Sequence, residues 1–261
     1  MYDLDSSHKL INFILKIPIH SIIMSLTIAI PTMDRWDKFL KKQLPIYLDH
    51  PGVDCVLVSD ENGNDIESIC QEGYDTRAKL RLYQNETGLG VYGNKRQCLL
   101  KAPTDYVAVL DSDNYFDSSY IDNVLECIKK DPEHKTVYCA GVNERLFIDT
   151  GVTENRTKHF SGMRINRTNW NQVLETPGWN FLLNDGNAVW PKSYVSKMPD
   201  LPEERVVGTD SILAMRYAIQ AGYTLSVEPS LHYIHTVHDG SHWTQNERAS
   251  NRLLGLMNWK V

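Results

Sequence analysis

Paired cysteines are missing from this sequence. The five present, at 55, 70, 98, 127 and 139, form no C-x-x-C or other paired spacing, which excludes a disulfide scaffold and a thiolate zinc site and fits free core thiols in a reducing compartment. An excess of positive charge is also missing: 27 Lys+Arg against 33 Asp+Glu leave a net charge of -6. No broad nucleic-acid surface is therefore implied, and any phosphate ligand must be met by local cations. Nor is there a clean apolar run to span a membrane, since Leu10 to Ile30 carries Asn12, Lys16, Pro18 and His20. Asp3 and Asp5 stand where a signal peptide has positive charge, and no small-residue cleavage site follows. Residues 1–23 read as a leader or extension, with an interfacial anchor as the alternative. The expected location is cytoplasmic, or peripheral at a membrane surface. Internal repeats and low-complexity tracts are absent. What is present, 261 residues of which 42% are hydrophobic, suffices for one large core.

From Leu26 the chain alternates strand and helix. Leu26 to Ile30 is a short, wholly apolar run of the kind buried on both faces of a parallel sheet, and Pro31-Thr32 ends it. A helix follows, with Asp34 as cap, Trp36, Phe39, Leu40 and Leu44 as its stripe, and Pro45 stopping or kinking it. Further strands are expected at Val53 to Val58, Lys79 to Tyr83 and Tyr106 to Leu110, with helices from about Asn94 to Lys101 and from Ser118 through Lys130. Residues 149–169 are polar and without period. Asp210 to Ala221 has helical spacing, Thr224 to Val227 and Leu231 to Ile234 read as strands, and Gln245 to Trp259 as a last helix. The pattern predicts an α/β protein with a mainly parallel central sheet, helices on both faces and ligands beyond the carboxyl ends of the strands. Thr32, Asp60 and Asp111 each fall just past such an end.

Asp111-Ser112-Asp113 directly follows an apolar strand, where two carboxylates can hold a hard divalent cation, Mn2+ or Mg2+, and leave positions open for a diphosphate. The same spacing at Asp3-Leu4-Asp5 has no strand before it, so context carries the inference. A leaving diphosphate also needs a basic side chain, which Lys95 or Arg96 can supply, and an acceptor hydroxyl needs a base. Asp210 can be that base; by residue type it is equally a helix N-cap. His235 and His238 read either as additional metal ligands or as structural histidines. Trp179, Trp190 and Trp243 read as a stacking surface for a sugar acceptor or as core. Three Asn-x-Thr sequons, at Asn85, Asn155 and Asn166, matter only in a secreted protein.

Four stretches, Ile28-Ala-Ile-Pro-Thr32, Val58-Ser-Asp60, Asn85 to Ala102 followed by Asp111-Ser-Asp113, and Gly208-Thr-Asp210 leading to Arg216 and Ala221-Gly222-Tyr223, together resemble a family 2 glycosyltransferase over residues 24 to 245. The resemblance implies a Rossmann-like GT-A fold in one domain, 24–261, with a nucleotide-binding half at 24–115 and an elaborated acceptor-binding half at 116–261. It implies Pro31, Thr32, Asp60, Lys95, Arg96 and Asp111 at the donor, Asp111 and Asp113 at the metal, a C-terminal histidine, His235 or His238, in the metal shell, and Asp210 as base. The family commonly has Ala-Arg-Asn where this chain has Asn94-Lys95-Arg96, and Glu where it has Thr209, so Asp210 carries the base role alone. The expected activity is metal-dependent, inverting transfer of a sugar from a nucleoside-diphosphate sugar, UDP- or GDP-linked, to a hydroxyl of a glycan or other acceptor, as in glycan biosynthesis. The alternatives are a sugar-1-phosphate nucleotidyltransferase, which wants a glycine-rich loop that Pro31-Thr-Met-Asp-Arg35 lacks, and an inactive nucleotide- or carbohydrate-binding protein.

Overall fold

Every residue of the first strand, β1 (Leu26–Thr32), is buried, as a strand with side chains packed on both faces must be. The structure is a computed structural model describing residues 25–184, 188–202 and 208–261, and the side chains of Asn184, His242 and Trp243 are also outside the description. The expected leader over 1–23 lies outside the described residues. The remaining strands are β2 (Cys55–Asp60), β3 (Leu80–Gln84), β4 (Tyr106–Val109), β5 (Tyr115–Phe116), β6 (Thr136–Phe147), β7 (Thr153–Glu154), β8 (Arg164–Ile165), β9 (Val189–Pro191) and β10 (Thr224–Val237). They join in one sheet, ordered β3-β2-β1-β4-β9-β6-β10-β5, with β7 on β6 and β8 on β10. Strands β1 to β4 are mutually parallel, as are β6 and β10, while β9 runs antiparallel to both β4 and β6.

The period of two along each strand sorts side chains into two cores. Leu26, Ile28, Ile30, Val56, Val58, Tyr106 and Ala108 face one side, where α1 (Lys41–Asp49) and α4 (Tyr120–Ile128) contribute Leu44, Tyr47, Ile121 and Val124. Ala29, Leu57, Val107, Val137 and Cys139 face the other, against α3 (Gly90–Lys101) and α8 (Asp210–Gln220). Each fully buried aliphatic side chain contributes about 1.5–3 kcal/mol, so this double-sided burial dominates the stability of the sheet. The remaining helices are α2 (Asn64–Gln71), α5 (Trp170–Leu174), α6 (Trp179–Asn184), α7 (Lys192–Val195) and α9 (His242–Leu256). Helix α3 is fixed at its C-terminus by Lys192, whose ammonium donates to the carbonyls of Leu99, Leu100 and Ala102 at 2.8, 2.7 and 2.7 Å. Among the described residues no helix is long and apolar enough to cross a membrane.

Three expectations change. The helix after β1 does not stop at Pro45: a wide π turn at Trp36–Leu40 precedes α1, which runs through the proline to Asp49. The two strands expected at Thr224 to Val227 and Leu231 to Ile234 are one, β10, whose register shifts between Glu228 and His232. Strand β6, the longest partner of β10, has no counterpart in the sequence reading. At the shift Gly141 of β6 lies so close to β10 that an added Cβ would sit 2.5 Å from the Glu228 carbonyl oxygen and 2.7 Å from Ser161 Oγ. Gly141→Ala is therefore expected to lower stability by about 1–3 kcal/mol in a denaturant melt, because backbone rather than a flexible side chain has to move.

Candidate active site

The carboxyl ends of β1, β2 and β4 open on a cavity of about 510 Å³, where the crevice of an open α/β sheet places a ligand. Its floor at β1 is Pro31 and Thr32, both on the lining as expected. The loop after β1 is shaped by Asp65, which the sequence reading missed: its carboxylate accepts from Thr32 Oγ1 at 2.5 Å and from the backbone N–H groups of Arg35 and Trp36 at 2.9 and 2.8 Å. This satisfies the first donors of the following turn.

Asp60 is placed beneath the cavity rather than in it. Fully buried, it accepts from the backbone N–H groups of Asn62 at 3.3 Å and Ile66 at 3.0 Å, capping α2. Burial pushes its carboxyl above the usual range, against those backbone donors. The neighbouring Glu61 lines the cavity instead, accepting from Gly90 N–H at 2.5 Å and Asn85 Nδ2 at 2.6 Å. Asn85 also accepts from Gln97 Nε2 and donates to Asn94 Oδ1, and is 6% exposed, which makes that sequon inaccessible.

Across the cleft, Lys95 Nζ lies 3.1 Å from Asp111 Oδ1 and 3.1 Å from Asp210 Oδ2, joining an expected metal ligand to the expected base. Burial acts to lower the ammonium's pKa, but the two carboxylates outweigh it and hold Lys95 charged. Asp210 is the first residue of α8, and the N-cap position is Thr209. Its carboxylate thus faces Lys95 and the cavity instead of acting as the N-cap. Arg96, one residue on from Lys95, points away from the cleft: its Nε donates to the Met198 carbonyl at 3.4 Å and its Nη1 lies 3.7 Å from Asp200. The expected pair of diphosphate cations is split, because consecutive helix residues stand about 100° apart. Lys95→Ala removes the ammonium that Asp111 and Asp210 share. It is expected to cost about 3–5 kcal/mol in chemical denaturation, while Arg96→Ala costs under about 1 kcal/mol.

Asp113 is engaged separately. Its Oδ2 lies 3.0 Å from His238 Nε2 and 3.8 Å from Arg35 Nε. Burial acts to raise its pKa, but the His238 hydrogen bond and the charges of His235, His238 and Arg35 outweigh this and lower it. Arg35, the cation that sequence reasoning missed, also donates through Nη2 to the Gly240 carbonyl at 2.6 Å. The loop after β4 is tied to β10 by Asn114, whose Oδ1 accepts from Thr236 N–H at 2.8 Å, and by Thr236 Oγ1 donating to the Asp113 carbonyl. His235 lines the cavity, and its buried Nδ1 has no hydrogen-bond partner among the described residues. Carboxylate and imidazole donors suit Mn2+. Asp113 and His238 fit such an ion and His235 flanks them, whereas Asp111 is turned to Lys95. Among the described residues no three carboxylate, histidine or cysteine side chains already converge as a ligand cluster.

Of the tryptophans expected at an acceptor surface, neither Trp179 nor Trp190 lines the cleft. Trp190 is 4% exposed and stacks on Tyr194 with centroids 5.4 Å apart, which places it in the core, while Trp179 is half-buried and packs on Trp259 at 6.2 Å at the core's edge. Trp243 is outside the described side chains.

The described fold is that of GT-A glycosyltransferases. A crystal structure of S. aureus TarS residues 1–349 in complex with UDP is similar at a TM-score of 0.61 and 18% identity, over 90% of this chain and 67% of that one. The same fragment in complex with UDP-GlcNAc gives 0.62 and 17%, over 84% of this chain and 60% of that one, and TarS itself gives 0.62 and 17% over 90% and 41%. The chain thus spans well under half of the latter structure. A sequence comparison with curated proteins finds no match. Residues 21–184 match glycosyl transferase family 2, more than half of the chain. This protein belongs to that family and is a glycosyltransferase.

Proposed function

We propose that the cleft binds a nucleoside-diphosphate sugar and transfers the sugar, with inversion, to a hydroxyl of a glycan or similar acceptor. The observation that carries this reading is the pairing of Lys95 with both Asp111 and Asp210 on one wall of the cavity, next to Asp113 with His238. Negative groups for a cation, a positive group for a diphosphate and a carboxylate for the acceptor proton are gathered within one crevice. The UDP and UDP-GlcNAc in the similar structures favour a uridine donor over a GDP-linked one.

In this reading the nucleotide sits in the half built from 24–115, against Pro31, Thr32 and Glu61, and the acceptor enters along the half built from 116–261. Asp113 and His238 hold Mn2+ or Mg2+, with His235 beside them. Such an ion, when bound, offsets the charge gathering on the leaving diphosphate. Asp210 takes the acceptor proton as its oxygen attacks the anomeric carbon.

A thermal-shift panel tests the donor reading, since a ligand bound only by the folded state raises stability, by about 2.7 kcal/mol at a hundred times its Kd. UDP with Mn2+ is expected to raise Tm more than UDP alone or GDP with Mn2+. Equal shifts from UDP with and without the ion would remove the metal from the reading. An NMR spectrum of the product showing retained anomeric configuration would exclude single displacement.

A further inference from the structure

Helix α3 holds more of the cleft than Lys95. One turn before it, Tyr92 is 1% exposed and its hydroxyl donates to the Pro199 carbonyl at 2.6 Å. One residue after it, Arg96 donates through Nε to the Met198 carbonyl at 3.4 Å and lies 3.7 Å from the Asp200 carboxylate. Positions 92 and 96, four residues apart, share one side of α3, and Lys95 stands beside it toward the cleft. The segment they grip, Met198 to Asp200, lies ten residues before Asp210, the carboxylate that Lys95 itself holds. A water-sized cavity of about 30 Å³ lies between them, walled by Tyr92, Lys95, Met198 and Asp210.

We infer that Tyr92 and Arg96 are positioning residues: they anchor Met198 to Asp200, which shares a cavity wall with Asp210, on the same helix that carries Lys95, so that the base is located from both sides. This rests on the reading of Asp210 as base and adds to it the device that sets its place. The geometry has a physical logic. The donor cavity is walled by the start of α3, so a helix seated by the nucleotide also seats the segment packed beside the base, and the two substrates are registered to a single rigid element. Arg96 then serves the reaction without touching the diphosphate. The Asp200 end of its contact is exposed, so the backbone carbonyls of Met198 and Pro199 are the main points of grip.

Tyr92→Phe keeps the ring and removes only the hydroxyl, and Arg96→Met removes the guanidinium. Two readouts are used: hydrogen exchange of the peptide covering 194–202, and UDP release from UDP-GlcNAc with Mn2+, compared with UDP affinity by calorimetry. Each variant is expected to speed exchange in 194–202 about fivefold or more, and to lower the turnover of UDP-GlcNAc about fivefold to tenfold while UDP affinity stays within twofold. Arg96→Lys, which can still reach a carbonyl, recovers part of both effects. Unchanged exchange in 194–202 would overturn the tether. UDP affinity falling in step with turnover would also overturn it, by returning both residues to the donor site. Asp210→Asn at undiminished turnover would instead overturn the base reading, and the exchange result would stand apart from it.

Discussion

Asp210→Asn is expected to lower the rate of sugar transfer by about two to four orders of magnitude with donor affinity nearly unchanged, the loss that follows removal of a general base. The substitution keeps the shape of the side chain, the helix position and one oxygen that can still accept from Lys95. It removes the charge that would take the proton. Because Asp210 is the first residue of α8 and Thr209 is its N-cap, the replacement does not uncap the helix, and a thermal melt is expected to show a change much smaller than the kinetic one. A large fall in stability with turnover preserved would assign Asp210 to the fold. Single-turnover measurement of the chemical step, alongside calorimetry with UDP, separates the two outcomes.

Asp113→Ala is expected to abolish the dependence of UDP binding on Mn2+. Of the two carboxylates of the Asp111-Ser112-Asp113 stretch, Asp113 is the one in contact with a histidine, while Asp111 is held by Lys95. Asp111→Ala should therefore weaken binding less steeply with metal concentration, and undiminished Mn2+ stimulation in Asp113→Ala would remove the ion from this place. The same group gives a pH dependence. Its pKa in the fold is depressed, so the stability it contributes is present above the ordinary carboxylate range and is lost as pH falls through its folded value. The Tm difference between wild type and Asp113→Asn should accordingly shrink on acidification below about pH 4.

Residue pattern made half of the sheet legible. Strands β1, β2 and β4 are short apolar runs and β3 alternates, each with strong punctuation, and their expected ends fall within two residues of the observed ones. Strand β6 escaped because Asn143, Glu144 and Arg145 interrupt it and its second half is only partly buried, so no uninterrupted apolar run marks it. The break expected after Val227 is a bulge, a local irregularity that pattern alone reads as an end. At the site, residues just past strand ends were found readily: Thr32, Asp111 and Asp113 all line the cavity. Orientation was not. Whether Lys95 or Arg96 enters the cleft depends on the rotation of α3, which Lys192 and the packing of Tyr92 and Leu99 decide. Likewise Trp190 and Trp179 are large aromatics whose packing is settled by partners distant in sequence, Val107 across the sheet for Trp190 and Trp259 for Trp179. Arg35 and Asp65 carried no signal of their own, since each acts through the path of the loop after β1.

Strand β9 bridges β4 and β6 although it is only three residues long. It is the seam through which the donor side and the acceptor side share one hydrogen-bonded network, and β10 then carries that network on to β5 and the loop that holds Asp113. The match to glycosyl transferase family 2 ends at residue 184, before this seam. A fragment cut there would keep β1 to β4 yet lose β9 and β10, leaving β4 with a bare edge and β6 with only the two-residue β7 beside it. Such an edge recruits other chains. The C-terminal third is therefore no detachable specificity module: transplanting it between relatives would exchange the middle of a sheet, and chimeras joined near 184 should aggregate where point variants of the same surface remain soluble.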